Sequence, residues 1–200
     1  TVLSRGLGDV YKRQLYIKEE FSIKDSIRYG FFQSISIVTT TGYTLEPLSG
    51  LGGTIGFLIF ILAFIGACSG SVGGGMKVWR VLLMIKVGFS NITKIIHPSA
   101  ISSVKLNGEK VVSSQIEAVF SFIAIYISFF LLFMFILIFQ NVDFYTAFSG
   151  TAAAINNLGP GLGSFSENYS SLSDVGKLTL TMAMIVAVSY THLTLPTSPK

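Results

Sequence analysis

Long stretches of this chain lack charged residues, and these stretches define its predicted elements. Residues 118–139 contain no charged residue, no Pro and no Gly. As an α-helix this stretch would reach about 33 Å, which is enough to cross the apolar core of a bilayer. Residues 52–68 form a second apolar stretch, and residues 178–188 form a third one that is cut short where the sequence changes character at residue 189. The pattern therefore predicts three membrane-crossing helices.

Two further apolar segments, residues 27–38 and 144–155, are too short to cross a bilayer. A polar motif that contains Gly follows each of them at once. A short helix that stops inside the membrane at irregular backbone is typical of a re-entrant pore helix. Such backbone persists at that depth only where it is buried in protein or lines a water-filled cavity.

The order of these segments predicts an internal repeat. The fold class is then an all-α membrane protein built from units of outer helix, re-entrant pore helix, filter loop and inner helix. Residues 15–86 would hold the pore helix, filter and broken inner helix of one unit. A linker over residues 87–110 leads to a second unit over residues 111–188, whose inner helix is truncated.

Composition supports a membrane protein and excludes several other classes. Half of the 200 residues are hydrophobic and 12% are charged, against about 25% in soluble domains. The mean hydropathy is +0.66. This excludes a water-soluble enzyme, a disordered chain and a coiled coil. One cysteine, Cys68, excludes an internal disulfide and a cysteine-based metal cluster.

The two ends differ from the middle of the chain. Residues 1–14 and 189–200 have neither a helical nor a strand periodicity, and both resemble translated sequencing-adapter sequence. We interpret them as foreign tails, with an ordinary polar tail at each end as the alternative. On that interpretation the chain is a piece of a longer protein.

The charges of the loops predict the orientation in the membrane. Residues 77–110 carry six basic residues and one acidic residue, whereas residues 141–176 carry three acidic residues and no basic one. Basic loops stay on the cytoplasmic side. Residues 77–110 are therefore predicted to be cytoplasmic, and both Gly motifs would open to the outside.

The first motif, residues 39–43, has the sequence Thr-Thr-Thr-Gly-Tyr. A dehydrated cation needs replacement oxygens, which rings of backbone carbonyls supply in potassium-channel filters. Aiming such carbonyls at one axis requires dihedrals that Gly42 tolerates because it lacks Cβ. A Thr-rich turn is the alternative interpretation.

The second motif, residues 156–163, has the sequence Asn-Asn-Leu-Gly-Pro-Gly-Leu-Gly and follows the second short helix. Gly159 corresponds to Gly42. Pro160 fixes φ and lacks an N–H, which stiffens the chain as it leaves the motif. A plain Gly-Pro turn is the alternative.

A glycine-rich loop is predicted at residues 66–77, where five of twelve residues are Gly. Each Gly costs about 1 kcal/mol in a helix, so the helix should break there. A deformable segment on the cytoplasmic side of a filter is a candidate gate, and a simple surface loop is the alternative. A phosphate-binding loop is excluded because Met76 separates Gly75 from Lys77.

Taken in order, these motifs resemble the Trk/Ktr/HKT superfamily of potassium uptake proteins, and within it the bacterial Trk potassium-translocating membrane subunits. The resemblance covers residues 15–188. Its carrying residues also include Val78, Arg80, His97-Pro98 and residues 105–108. Family members have four such repeats around one pore, and this chain looks like the third and fourth.

The resemblance implies a role for particular residues. The implied ion-binding filter residues are Thr40, Thr41, Gly42, Tyr43, Asn157, Leu158, Gly159 and Pro160. The implied gate residues are Gly66, Gly70, Ser71, Gly73, Gly74 and Gly75. The transported ion would be K⁺, with no cofactor and no other metal.

The resemblance also implies partners and a location. The chain would lie in the bacterial inner membrane in contact with lipid, complete its pore with the remaining two repeats, and form a homodimer. A cytoplasmic regulatory subunit that binds nucleotides would attach to it, and no nucleic acid is expected.

Two rival hypotheses remain. A secondary transporter of an organic solute would use the ends of broken helices to hold a carboxylate. A membrane-embedded enzyme would need an intramembrane acid, base or metal set, and residues 118–139 and 55–68 hold none. The sequence leaves open the preference between K⁺ and Na⁺ and any coupling to H⁺ or Na⁺, as in a symport.

Overall fold

The computed structural model describes residues 23–45, 53–66, 68, 71, 73–97, 104–106, 108–166 and 168–193. These residues are mostly helical. The elements are α1 (Ile23–Val38), α2 (Gly53–Ile65), α3 (Val78–Ile96), β1 (Lys105–Leu106), β2 (Glu109–Lys110), α4 (Ser113–Phe139), α5 (Phe144–Ile155) and α6 (Asp174–Leu193). A short 3₁₀ turn covers Gly163–Phe165. Gly70 and residues 1–14 lie outside the described residues.

Helix α4 contains the whole of the apolar stretch at residues 118–139. Its 27 residues give it a length of about 40 Å. Among the described residues it is the one helix both long enough and apolar enough to cross a membrane. It begins earlier than expected because Gln115 and Glu117 continue the helix as exposed or half-exposed residues instead of ending it.

Helix α5 lies at the centre of the main hydrophobic core. Every residue from Ser149 to Ile155 is buried, and the helix packs against α4, α6 and α2. The small side chains of residues 152–154 allow these neighbours to approach closely. The rings of Phe64 and Phe148 meet Phe130 edge-on at centroid distances of 5.2 and 5.4 Å. In the chain that follows α5, Asn156 and Leu158 are buried, whereas Asn157 and Gly159 are exposed.

Helix α1 packs against α2. It buries Gln33, Ser34, Ser36 and Ile37, whereas Phe31 and Phe32 are exposed. It begins before residue 27, the start of the apolar segment, because its first turn contains the charged residues Lys24 and Asp25. An acidic residue in the first turn is favourable to the helix dipole.

Helix α3 crosses the predicted boundary at residue 86. Its apolar residues recur at helical spacing, and Leu83 and Val87 pack against Val119 and Ile123 of α4. The strands β1 and β2 then form an antiparallel pair, which Lys86 contacts by donating from Nζ to the carbonyl of Lys105 at 2.9 Å. Residues 77–110 are thus largely structured where they are described.

Helix α6 packs against α5 and α4. It begins at Asp174, before the expected residue 178, and runs as far as Leu193. It thereby extends past Val188 into the segment interpreted as a foreign tail. A helical backbone is compatible with either origin of that segment, so the interpretation stays a prediction.

Candidate functional site

Helices α1 and α5 end in the same hydrogen-bonding pattern. In each case two N–H groups just past the helix donate back to carbonyls of the last turn. The bonds after α1 are Thr40 N–H to Ile37 at 3.1 Å and Thr41 N–H to Ser36 at 2.9 Å; after α5 they are Asn157 N–H to Ala154 at 3.2 Å and Leu158 N–H to Ala153 at 2.8 Å. The paired residues lie at one constant offset along the chain, so the two ends are equivalent.

The backbone beyond the two helices repeats the same unusual conformation. Thr40 and Asn157 have φ of 56° and 51°, and Gly42 and Gly159 have φ of 79° and 98°. A non-Gly residue with positive φ is uncommon and is strained unless its surroundings hold it. This conformation continues neither a helix nor a strand. Carbonyl oxygens in the two motifs therefore leave the regular helix and sheet ladders, as ligands for a cation must.

The two motifs lie against each other although the chain separates them widely. A Cβ added to Gly42 would lie 1.8 Å from the carbonyl oxygen of Leu158 and 3.3 Å from Cδ of Pro160. Only Gly fits there. A Cβ added to Gly159 meets nothing within 4 Å, so only the positive φ of Gly159 disfavours a side chain at this position.

Local hydroxyl groups hold the first motif. Ser36 Oγ donates to the carbonyl of Tyr43 at 2.7 Å, and Thr39 Oγ1 donates to the carbonyl of Ile35 at 2.7 Å. The hydroxyl oxygens of Thr39 and Thr41 are 2.8 Å apart. Tyr43 is 72% exposed, so it contacts the rest of the motif through its backbone carbonyl and not through its ring.

Two tyrosines hold the second motif, and the expected filter residues did not include them. Tyr126 of α4 donates from its hydroxyl to Oδ1 of Asn156 at 2.7 Å, and Asn156 Nδ2 donates to the carbonyl of Ala152 at 2.9 Å. Tyr126 and Asn156 are both buried. Tyr169 donates to the carbonyl of Gly159 at 2.7 Å. A phenol inside an otherwise apolar helix needs a partner, which is the signal that could have identified Tyr126.

The glycine-rich loop contacts both motifs. The N–H of Gly74 donates to Oγ1 of Thr40 at 3.0 Å, and a Cβ added to Gly74 would lie 1.9 Å from the carbonyl oxygen of Asn156. Gly66 and Gly75 have φ of 68° and 84°. The loop is folded back on itself, because a Cβ on Gly66 would lie 2.6 Å from the carbonyl oxygen of Gly74.

Lys77 ties the loop together from its C-terminal end. Its side chain is buried, and Nζ donates to the carbonyl oxygens of Ser71, at 2.7 Å, and Gly73. The guanidinium of Arg80, one turn later, lies 4.1 Å from the centroid of the Phe122 ring on α4. Both cations therefore have partners within the protein.

Helix ends set the electrostatics of the two motifs. The C-terminal ends of α1 and α5 meet the motifs, and a helix carries about half a negative elementary charge at that end. Neither motif contains a charged residue. The two helix ends therefore favour a cation at the motifs.

At the opposite end of α5, Asp143 accepts from the N–H of Thr146 at 3.0 Å. Hydrogen bonding from Thr146 lowers the pKa of the Asp143 carboxyl below its usual value.

Comparison with known proteins finds one family and several relatives. The family model TrkH, described as a cation transport protein, matches residues 13–187. The Trk system potassium uptake protein TrkH of Halomonas elongata is 36% identical over 181 residues, covering 90% of this chain and 38% of the relative. The protein of the same name from Escherichia coli K12 is 38% identical over 160 residues, covering 80% of this chain and 33% of the relative.

The crystal structure of the potassium transporter TrkH from Vibrio parahaemolyticus is similar to this chain, with a TM-score of 0.84 and 33% identity. The match covers 98% of this chain and 42% of that protein. The chain thus spans well under half of the length of each of these relatives.

Proposed function

Because the chain belongs to the TrkH family of cation transport proteins, we propose that it forms part of a potassium uptake pathway in which the two motifs are two quarters of a selectivity filter. A transport family also means that the chain is a membrane transport protein and not an enzyme. Helices α1 and α5 are then pore helices, and carbonyls of residues 40–43 and 157–160 replace the water shell of K⁺.

The observation that carries this proposal is the paired geometry of the motifs. Two segments far apart in sequence have the same alternation of positive φ and the same helix-end hydrogen bonds. They are also in contact, with Gly42 against the carbonyl of Leu158. Two unrelated turns would not be expected to share both features. A repeated pore helix and filter accounts for both.

The direction of the short helices supports a cation over an organic anion. An organic-solute transporter with broken helices would direct helix N-termini at a carboxylate. Here the C-terminal ends of α1 and α5 meet the motifs, and their partial charge is negative. The relatives' names concern potassium uptake. The carboxylate hypothesis is therefore less well supported.

The glycine-rich loop is proposed as the gate below the filter. Its gate residues are Gly66, Gly70, Ser71, Gly73, Gly74 and Gly75, of which Gly70 lies outside the described residues. The contacts of Gly74 with Thr40 and Asn156 support a position directly against the filter. Opening would require these contacts to break, which the high Gly content makes possible.

Two quarters of a filter cannot surround an ion, so the proposed pore needs two more repeats. A homodimer in the bacterial inner membrane, a cytoplasmic nucleotide-binding regulatory subunit and a cytoplasmic position for residues 77–110 belong to the same proposal. The basic charge of residues 77–110 supports that orientation.

Substitution of the filter glycines tests the proposal. In the full-length protein that contains this chain, Gly42→Ser and Gly159→Ser should each lower the ratio of K⁺ to Na⁺ flux, because serine resists the required positive φ. Gly88→Ser on α3 is the matched control, since a Cβ there meets nothing within 4 Å. An unchanged flux ratio in both filter variants would contradict the filter assignment.

A further inference from the structure

The two filter segments are held in different ways. The first is held by hydroxyls of its own α1 and its own motif, which lie within seven residues of their partners. The second also bonds to its own helix, through Asn156 Nδ2 to the carbonyl of Ala152 and the N–H of Leu162 to Oγ of Ser149. It differs in adding two tyrosine hydroxyls, those of Tyr126 and Tyr169, which lie 30 and 10 residues from their partners. The equivalents of Ser36 and Thr39 in the second unit are Ala153 and Asn156. Asn156 bonds to the carbonyl of Ala152 as Thr39 does to that of Ile35, whereas Ala153 has no hydroxyl to replace that of Ser36.

The two tyrosines act at opposite ends of the segment. Tyr126 fixes Asn156, the residue just before the first positive φ, and its hydroxyl bond is buried. Tyr169 fixes the carbonyl of Gly159, the residue at the second positive φ. Between these two points lie Asn157 and Leu158, and the carbonyl oxygen of Leu158 lies against Gly42 of the first motif. The spacing of these carbonyls is therefore set from both sides.

The ring of Tyr126 is itself well fixed. It stacks on Phe122 with centroids 6.1 Å apart and meets Phe64 edge-on at 6.1 Å. A hydroxyl on a fixed ring can hold Asn156 with little loss of side-chain entropy. The backbone carbonyl of Asn156 also faces Gly74 of the glycine-rich loop. Movement of Asn156 would therefore disturb both the filter and the proposed gate.

We propose that Tyr126 and Tyr169 are positioning residues for the second filter segment, and that they set its ion selectivity through Asn156 and through the carbonyl of Gly159. The inference rests on the proposed function, because it needs the second motif to be a filter. Neither hydroxyl is proposed to touch the ion.

The test uses Tyr126→Phe and Tyr169→Phe in the full-length protein, because each change removes one hydroxyl and keeps the ring. Each variant should lower the ratio of K⁺ to Na⁺ flux by about fivefold, the factor that one hydrogen bond is worth. The concentration of K⁺ at half-maximal uptake should rise more than the maximal rate falls. A purely structural role would lower the amount of protein and the maximal rate but leave the flux ratio unchanged.

Tyr145→Phe is the matched control. Tyr145 is half-buried on α5, and its hydroxyl has no hydrogen-bond partner among the residues that the structure describes. The flux ratio of Tyr145→Phe should equal that of the parent.

A double variant tests the route through Asn156. Adding Tyr126→Phe to Asn156→Ala should change the flux ratio no further than Asn156→Ala alone, because Tyr126 acts through that side chain.

The outcomes separate this inference from the proposed function. If Gly42→Ser lowers the flux ratio while both Tyr→Phe variants leave it at the parental value, the positioning role is wrong and the filter stands. If neither the glycine nor the tyrosine variants change the ratio, the filter assignment itself is wrong. An additive effect in the double variant would overturn the route through Asn156.

Discussion

Three glycines of the site face different neighbours, and so they tolerate a side chain to different degrees. Gly42 and Gly74 both abut backbone carbonyls of the second motif, at which an added Cβ would lie 1.8 and 1.9 Å from oxygen. Gly159 has open space but a φ of 98°. A substitution at Gly42 or Gly74 must therefore move backbone, whereas one at Gly159 strains its own conformation.

Gly74→Ala is predicted to unseat the glycine-rich loop from the filter. The added methyl group cannot fit against the carbonyl of Asn156, so the N–H of Gly74 should lose its bond to Thr40. Leak flux of K⁺ in the absence of activating conditions should rise above the parental level, as measured in vesicles that contain the full-length protein.

The control for this change is Gly88→Ala, which makes the same substitution in a helix. Gly88 lies inside α3 with nothing near its Cβ position, and alanine there should stabilise the protein by about 0.5–1 kcal/mol. Its leak flux should match the parent. Parental leak in Gly74→Ala would count against the gate assignment.

Helix α5 depends on its first residue as well as on its buried face. Asp143 is the N-cap and accepts from the N–H of Thr146. Asp143→Ala should therefore destabilise the protein by about 1 kcal/mol, seen as a lower midpoint of thermal unfolding. Asp143→Asn keeps a capping oxygen without the charge, so it should lose much less.

The same carboxylate predicts a dependence of stability on pH. The pKa of Asp143 is lowered in the folded protein by hydrogen bonding from Thr146. Its stabilisation is thus complete above the unfolded pKa, about 3.9, and is lost as the pH falls through the lower folded pKa. The difference in thermal midpoint between the parent and Asp143→Asn should shrink below that pH. A constant difference would show that the charge contributes nothing.

The sequence predicts the apolar elements better than the amphipathic ones. The short segment at residues 144–155 coincides with α5 because Asp143 and Asn156 flank an uninterrupted small and apolar run. The long run of α4 is just as clear. Continuous apolar runs do not predict helix α3 beyond residue 86, because its apolar residues there are interrupted by Lys86 and Lys94.

The sequence also predicts which motifs matter, but not what holds them. Gly42 and Gly159 indicate in the sequence where the backbone adopts a positive φ, and the structure has a positive φ at both. The bond from Tyr126 to Asn156 joins residues 30 positions apart, and nothing local in either segment specifies that pairing. Contacts such as that between Gly74 and the carbonyl of Asn156 likewise depend on tertiary packing.

At the scale of the whole molecule, the core gathers the second unit around α5 and brings the first motif to it. Helices α4, α6 and α2 pack around α5, and the glycine-rich loop contacts both motifs through Thr40 and Asn156. One core thus positions both proposed filter segments and the proposed gate. A change in the core should accordingly alter all three.

The central claim is that residues 40–43 and 157–160 face one cation together. Anomalous diffraction from crystals of the full-length protein grown with Tl⁺ or Rb⁺ in place of K⁺ tests it most directly. The account predicts an ion peak within coordinating distance of carbonyl oxygens from both segments, and loss of that peak in Gly42→Ser. A peak that contacts neither segment, or ions bound only elsewhere in the protein, would contradict the account.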